Sequence, residues 1–384
     1  MKLFKSLLVA PAALGLMAPM AVTANEINLT DVSGYSSNSE VESISDFDAA
    51  KELAVTNSRV DGLEARFNNF EAGSFSETTT ASFSADFELS SEDGGAEAVS
   101  AFYGFQIDLN TSFTGEDSLD ISIDAGNSDG SEFDLNVSGG GDDVLAVDGV
   151  SYTFPLGPVT AFVGDNMDGS TLYSTACVYG GPSNTLDDCG NPNAALGSGT
   201  GTAAGASYEF GDGFAVAVGY TGAGSSTDGL MTTESEDQIG GQLSYAGDSF
   251  GASLTLAQIE DYSHAVDRNF WAFNGYWTPE ETGIIPSVSV GYEAGDAKGM
   301  ADTSAWFVGI QWDEAGPGTA GAAIGTQGAS RDIKNVDEEL LMYEAFYSYA
   351  VNDGMTITPL IYVKETMAGS DDKTGVMVKT SFSF

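Results

Sequence analysis

The chain has 384 residues, with 57 acidic side chains against 12 basic ones and a formal net charge of −45. That balance excludes a nucleic-acid binder, because holding phosphates needs lysine and arginine. Hydrophobic residues make up 42% of the chain, yet mean hydropathy is −0.05, which suits a wall with one apolar face better than a dry soluble core.

Residues 1–24 read as a secretory signal. Lys2 and Lys5 form a positive end, Leu7 to Val22 is apolar, and Val22-Thr23-Ala24 is a small-residue cleavage site. The exported chain is expected to begin at Asn25. No later stretch holds about 18 unbroken apolar residues, so no transmembrane helix is expected. Strands remain a way to cross a membrane, provided they close into a barrel.

Residues 25–48 have no period and read as an extended periplasmic lead-in. Residues 49–73 do have one. Leu53, Val60 and Phe67 recur every seven residues, as do Thr56, Leu63 and Phe70, which predicts a parallel coiled-coil helix. Arg59 then faces Glu64, and Arg66 faces Glu71, on neighbouring chains. A single amphipathic helix is the alternative. A helix this short is marginal alone, so neighbouring barrels would have to hold the chains together. Gly73 ends the helix.

From residue 74 to 384 the period becomes two, and sixteen alternating segments follow. One side of the early segments carries Phe83, Phe87 and Leu89, then Tyr103, Phe105, Ile107 and Leu109. The other side carries Gln106, Asp108, Asp120 and Asp124. Seven short turns alternate with eight longer loops. Tyr220, Tyr245, Trp277, Tyr292, Trp312, Tyr349 and Tyr362 lie near segment ends, as in interfacial aromatic girdles. The last segment, Lys373 to Phe384, puts Val376, Val378, Thr380, Phe382 and Phe384 on one face. Left open it would be a sticky edge; paired with the first segment it closes a cylinder. Phe384 is therefore the expected closing residue, and its strand the expected handle for barrel-assembly machinery. The fold class is all-β: a 16-stranded antiparallel transmembrane barrel with a short N-terminal coiled-coil helix.

Cys177 and Cys189 fall inside the longest loop, about Asp165 to Gly201. In an exported chain such a pair reads as a disulfide, and a structureless loop of this length is usually functional. The loop is expected to fold inward and narrow the lumen; an external stapled loop is the alternative. Other motifs carry little. Gly126-Asn127-Ser128-Asp129-Gly130 fits GxSxG, but it lies between strands and His264 is the single histidine, so no enzyme is expected. Gly139-Gly140-Gly141-Asp142-Asp143 is an isolated repeat-like run. No cofactor and no metal site are expected.

The start MKLFKSLLVAPAALGLMAP, the lead-in VSGYSSNSEVESISDF, the stretch VDGLEARFNNFEAGSFSETTT and the hairpin FQIDLNTSFTGEDSL resemble the cyanobacterial outer-membrane porins. These are similar to the OprB-type carbohydrate-selective porins, and some are named iron-uptake porins. The resemblance implies a homotrimer in outer-membrane lipid, with a periplasmic S-layer-homology domain gripping a peptidoglycan-linked polymer. Here the chain passes almost directly from Ile44-Ser45-Asp46-Phe47 into the coil, so residues 25–48 are a remnant of that region and argue against wall binding. The expected function is passive diffusion of small hydrophilic solutes and ions, carbohydrates or inorganic ions among them, with mild cation preference. Pore-lining candidates are Gln106, Asp108, Asp120, Asp124, Glu293, Gln311, Glu344, Lys364 and Lys379. A structural link between outer membrane and wall is the alternative function, and a secreted soluble adhesin a more distant one.

Overall fold

The computed structural model describes residues 78–93, 98–128, 131–135, 143–189, 201–224, 229–232, 235–261, 266–280, 283–299, 302–327, 339–367 and 370–384. The signal peptide, the lead-in, the coiled coil and His264 lie outside the described residues, as do all but Asp143 of the glycine-rich run.

The strands are β1 (Thr79–Asp93), β2 (Ser100–Thr111), β3 (Ser118–Gly126), β4 (Ala146–Leu156), β5 (Val159–Met167), β6 (Gly201–Phe210), β7 (Phe214–Gly222) and β8 (Asp237–Ala246). They continue as β9 (Phe250–Asp261), β10 (Val266–Trp277), β11 (Ser287–Ala297), β12 (Thr303–Ala315), β13 (Gly318–Thr326), β14 (Leu341–Asn352), β15 (Met355–Lys364) and β16 (Lys373–Ser383). Each pairs antiparallel with its chain neighbours, and β1 pairs with β16, so the sheet is a closed sixteen-stranded barrel. Closure satisfies every strand edge, which a lipid-facing sheet requires.

Phe384 stands at the seam. Its amide donates to the Phe83 carbonyl at 3.0 Å, and its carbonyl accepts from the Phe83 amide at 2.9 Å. The two rings stack with centroids 5.7 Å apart. The register fixes two faces. Phe87, Leu89, Val218, Leu243, Leu254, Leu256, Phe273 and Ile361 are exposed on the outside. Outward rings also run around one rim: Tyr208–Phe210, Phe210–Phe214, Phe214–Tyr245 and Tyr245–Phe250 have centroids 6.1, 5.8, 4.8 and 5.1 Å apart. Tyr362 does not join this girdle. It falls on the inward parity, is 5% exposed, and donates to Glu92 at 2.8 Å.

The short turns lie at one end. In the β6–β7 turn Gly213 has φ of 88°, and a Cβ there would approach the Ala246 carbonyl oxygen to 2.2 Å, so the bend needs glycine. The β2–β3 turn is built on a carboxylate instead. Asp117 Oδ1 accepts from Ser112 Oγ, the Phe113 and Thr114 amides and Thr114 Oγ1, at 2.9, 3.0, 2.7 and 2.8 Å. Its Oδ2 accepts from the Tyr152 hydroxyl at 2.7 Å. That hydroxyl above all, with the turn's own donors, holds the Asp117 carboxyl well below the usual carboxylate range.

Deleting Phe384 removes two closing hydrogen bonds and a stacked ring, so the fraction of heat-modifiable, compact barrel in refolding assays should fall. A depressed folded-state pKa stabilises above the unfolded value, about 4, and that contribution disappears as pH falls toward the folded value. Asp117→Asn should lower the melting temperature at neutral pH, with the gap to the parent protein narrowing below about pH 4.

Candidate functional site

Inside the barrel the β5–β6 connection, described over 168–189, crosses from one wall to the other. A non-helical segment enclosed by a barrel leaves backbone donors and acceptors without ladder partners, and each needs one. Inward side chains of six strands between β7 and β14 supply them. The Gly169 amide donates to Thr221 Oγ1 on β7. On β8, Gln242 takes the Ser174 amide at 2.7 Å and returns a bond to its carbonyl at 2.9 Å. Asn274 on β10 donates to the Thr175 carbonyl at 3.0 Å. On β11, Ser289 Oγ accepts from the Val178 and Tyr179 amides at 3.1 and 3.2 Å. On β12, Gln311 Oε1 accepts from the Gly180 amide at 2.9 Å. The track ends on β14, where the Tyr179 hydroxyl donates to Glu344 Oε1 at 2.6 Å. Burial, and the Glu344 carboxylate beside it, push the Tyr179 hydroxyl above its ordinary range, so it stays a donor. Burial likewise pushes Tyr173 up to about 12.

The tip is cross-linked. Cys177 and Cys189 form a disulfide with Cα atoms 5.9 Å apart, and Cys189 closes a short helical turn, Asp187–Cys189. The segment between them meets the β3–β4 loop. Phe133 and Ser183 form an antiparallel bridge, the Asp134 amide donates to the Pro182 carbonyl at 3.1 Å, and the Asn184 amide donates to the Glu132 carbonyl at 2.8 Å. Beneath both loops lies a buried apolar cluster of Phe133, Leu135, Tyr179, Leu186 and Cys189 with wall residues Phe307, Met342, Phe346, Leu360 and Met377. Tyr179 packs on Phe307 and Phe346 with centroids 5.3 and 5.8 Å away.

The candidate lining residues all take the inward parity set by the register, but they do not form one ring. Gln106, Asp108 and Asp120 share the inner wall of β2 and β3, half-buried. Asp108 accepts from Gln106 and Ser122 at 2.7 Å each, and Asp120 from Asn110 at 2.5 Å and Ser118 at 2.7 Å. Gln311 and Glu344 hold the long loop. Asp124, Glu293 and Glu344 are 0, 0 and 4% exposed, because enclosed protein rather than water covers them. Lys364 pairs with Glu132, and Lys379 donates to the Asp134 carbonyl at 2.9 Å. Sequence reasoning missed Thr221, Gln242, Asn274, Ser289, Tyr179 and Glu132. The available signal was amides and hydroxyls at inward positions of consecutive strands. A second was the loss of alternation in β14 and β15, where Met342, Phe346 and Leu360 make the inward face apolar as well.

A sixteen-stranded cylinder narrowed by its own β5–β6 loop is a pore architecture, and the comparisons agree. The family model for carbohydrate-selective porins of the OprB family matches residues 46–384. The chain belongs to the OprB porin family. An uncharacterised protein of Nostoc sp. is 24% identical over 87% of this chain and 70% of its own length. Pseudomonas putida OprB superposes with a TM-score of 0.58 at 12% identity, over 80% of this chain and 94% of that one. Salmonella typhi OmpF gives 0.58 at 9% identity, over 80% and 97%. The anion-selective porin of Comamonas acidovorans gives 0.54 at 14% identity, over 80% and 99%. The protein is an outer-membrane channel for solute diffusion, and the OprB porins and their fold are non-enzymatic.

Tyr179→Phe removes the donor to a buried carboxylate. A loss of this kind costs about 1–3 kcal/mol, so the variant should melt lower and show a noisier, larger single-channel conductance. Cys177→Ser should enlarge the conductance in the same direction while leaving the wall bonds in place.

Proposed function

We propose that this OprB porin passes small hydrophilic solutes and inorganic ions without energy input, mildly favouring cations. The observation that carries the preference is the pairing of charge on the inner wall. Lys364, Lys373 and Lys379 are each bound to a carboxylate or a carbonyl oxygen of the chain itself. Asp108 and Asp120 have hydroxyl and amide partners and no ion pair among the described residues. Fixed acidic charge beside a water path raises the local cation concentration. Gln106, Asp108, Asp120, Gln311, Lys364 and Lys379 are the lining residues in this reading. Glu344 holds the long loop through Tyr179, and Asp124 and Glu293 are buried away from the water path. Sugars are the organic solutes the family suggests.

The porin works as a homotrimer in outer-membrane lipid, inserted by barrel-assembly machinery that engages the Phe384 strand. The alternative role, a link to the cell wall, draws on residues 25–73, outside the described residues. Planar-bilayer recording across a KCl gradient tests the preference: the reversal potential should take the cation-selective sign. Asp108→Asn with Asp120→Asn should move it toward zero with little change in conductance. A clear anion preference of the parent protein would overturn the reading.

A further inference from the structure

The inner wall of the last two strands carries a column of like charge. Lys364 on β15 and Lys373 on β16 are direct cross-strand partners, and Lys379 follows along β16. Like charges set opposite one another repel, so the column needs counter-charge. For Lys373 it comes from the wall, since Glu92 on β1 lies 2.9 Å away. Lys379 donates to the Asp134 carbonyl and stands 5.6 Å over the Phe133 ring. The carboxylate that answers Lys364 comes from the β3–β4 loop: it is Glu132. The Glu132–Lys364 pair is enclosed, with side chains 14 and 21% exposed. Its geometry is fixed from two sides. The Thr185 hydroxyl donates to Glu132 Oε1 at 2.5 Å, and the Asn184 amide donates to the Glu132 carbonyl at 2.8 Å. Ser131, next in the chain, donates to Glu88 on β1.

We propose that Glu132 is a specificity-determining residue of the pore: it silences Lys364, and so leaves the carboxylates on β2 and β3 to set the ion preference. This rests on the cation-favouring reading above. Field lines from a half-enclosed ammonium reach further than those of a surface lysine, because less water screens them. Without Glu132, Lys364 loses its ion-paired carboxylate, and Glu92 and Glu344 remain only as acidic neighbours acting through space, so more of its positive charge reaches the lumen it shares with Asp108 and Asp120. The β3–β4 loop thereby acts as a built-in counter-ion rather than as bulk filling. A loop that only fills space affects conductance; a counter-ion affects which ion carries it.

The test is reversal potential in a KCl gradient for the intact porin, Glu132→Gln, Lys364→Gln and the double variant. Glu132→Gln keeps size and loses charge, and should lower the cation-to-anion permeability ratio by about two-fold or more. Lys364→Gln should raise it, and the double variant should return to the parent value. The inference is overturned if Glu132→Gln matches the parent protein, or if the double variant stays with Glu132→Gln. Should Glu132→Gln fail to insert, Lys364→Gln decides, and an unchanged ratio overturns the inference. A parent protein that prefers anions instead defeats the cation reading itself, a different result from a cation-selective parent with an unmoved variant.

Discussion

The structure depends on one requirement: polypeptide folded inside a closed barrel must find hydrogen-bond partners it cannot get from a strand ladder. The wall provides them in order around the cylinder. Thr221, Gln242, Asn274, Ser289, Gln311 and Glu344 sit on β7, β8, β10, β11, β12 and β14, and each takes or gives a bond to the long loop or its side chain. The loop's path is thus specified by which inward positions are amides, hydroxyls and carboxylates. A neutral bond of this type contributes about 1 kcal/mol net. The larger effect is the cost of leaving any of these groups unpaired.

The enclosed loops also divide the lumen into two media. Along β12 to β16 the inner wall behaves as one half of a soluble core. Phe307, Met342, Leu360 and Met377 are no more than 2% exposed, against Phe133 and Leu186 at 0%. Complete burial of such a side chain is worth roughly 1.5–3 kcal/mol, so apolar packing and the polar anchors act together. Along β2 and β3 the wall keeps half-buried carboxylates, amides and hydroxyls. In the proposed reading, water and solutes pass along that side.

Charge follows the same division. Lys364 and Lys373 are ion-paired with Glu132 and Glu92, and Lys379 donates to the Asp134 carbonyl and stands opposite Glu88 in the β1–β16 register, while Asp108 and Asp120 have no ion-pair partner among the described residues. In the proposed reading the ion preference follows from which charges the folded chain pairs, and not from the overall count of acids.

The amino-acid order by itself determined the cylinder. A period of two over sixteen segments, small-residue turns and a terminal aromatic strand leave lipid on one side and closure as the only way to satisfy the edges, and inward and outward positions follow from parity except where a bulge shifts the register, as between Ser122 and Ile123. It also marked the long loop and its cysteine pair as special, because both are local in the chain. Tertiary structure decided the rest. Tyr362 alternates with Ile361 and Val363, so its inward parity was legible, but its partner Glu92 on β1 comes only from barrel closure. Asp124, Glu293 and Glu344 stand at positions that parity alone assigns to water, yet they are buried by protein from elsewhere in the chain. Burial and charge pairing depend on which segments meet in space, and an alternating pattern along one strand holds no record of what crosses the lumen opposite it.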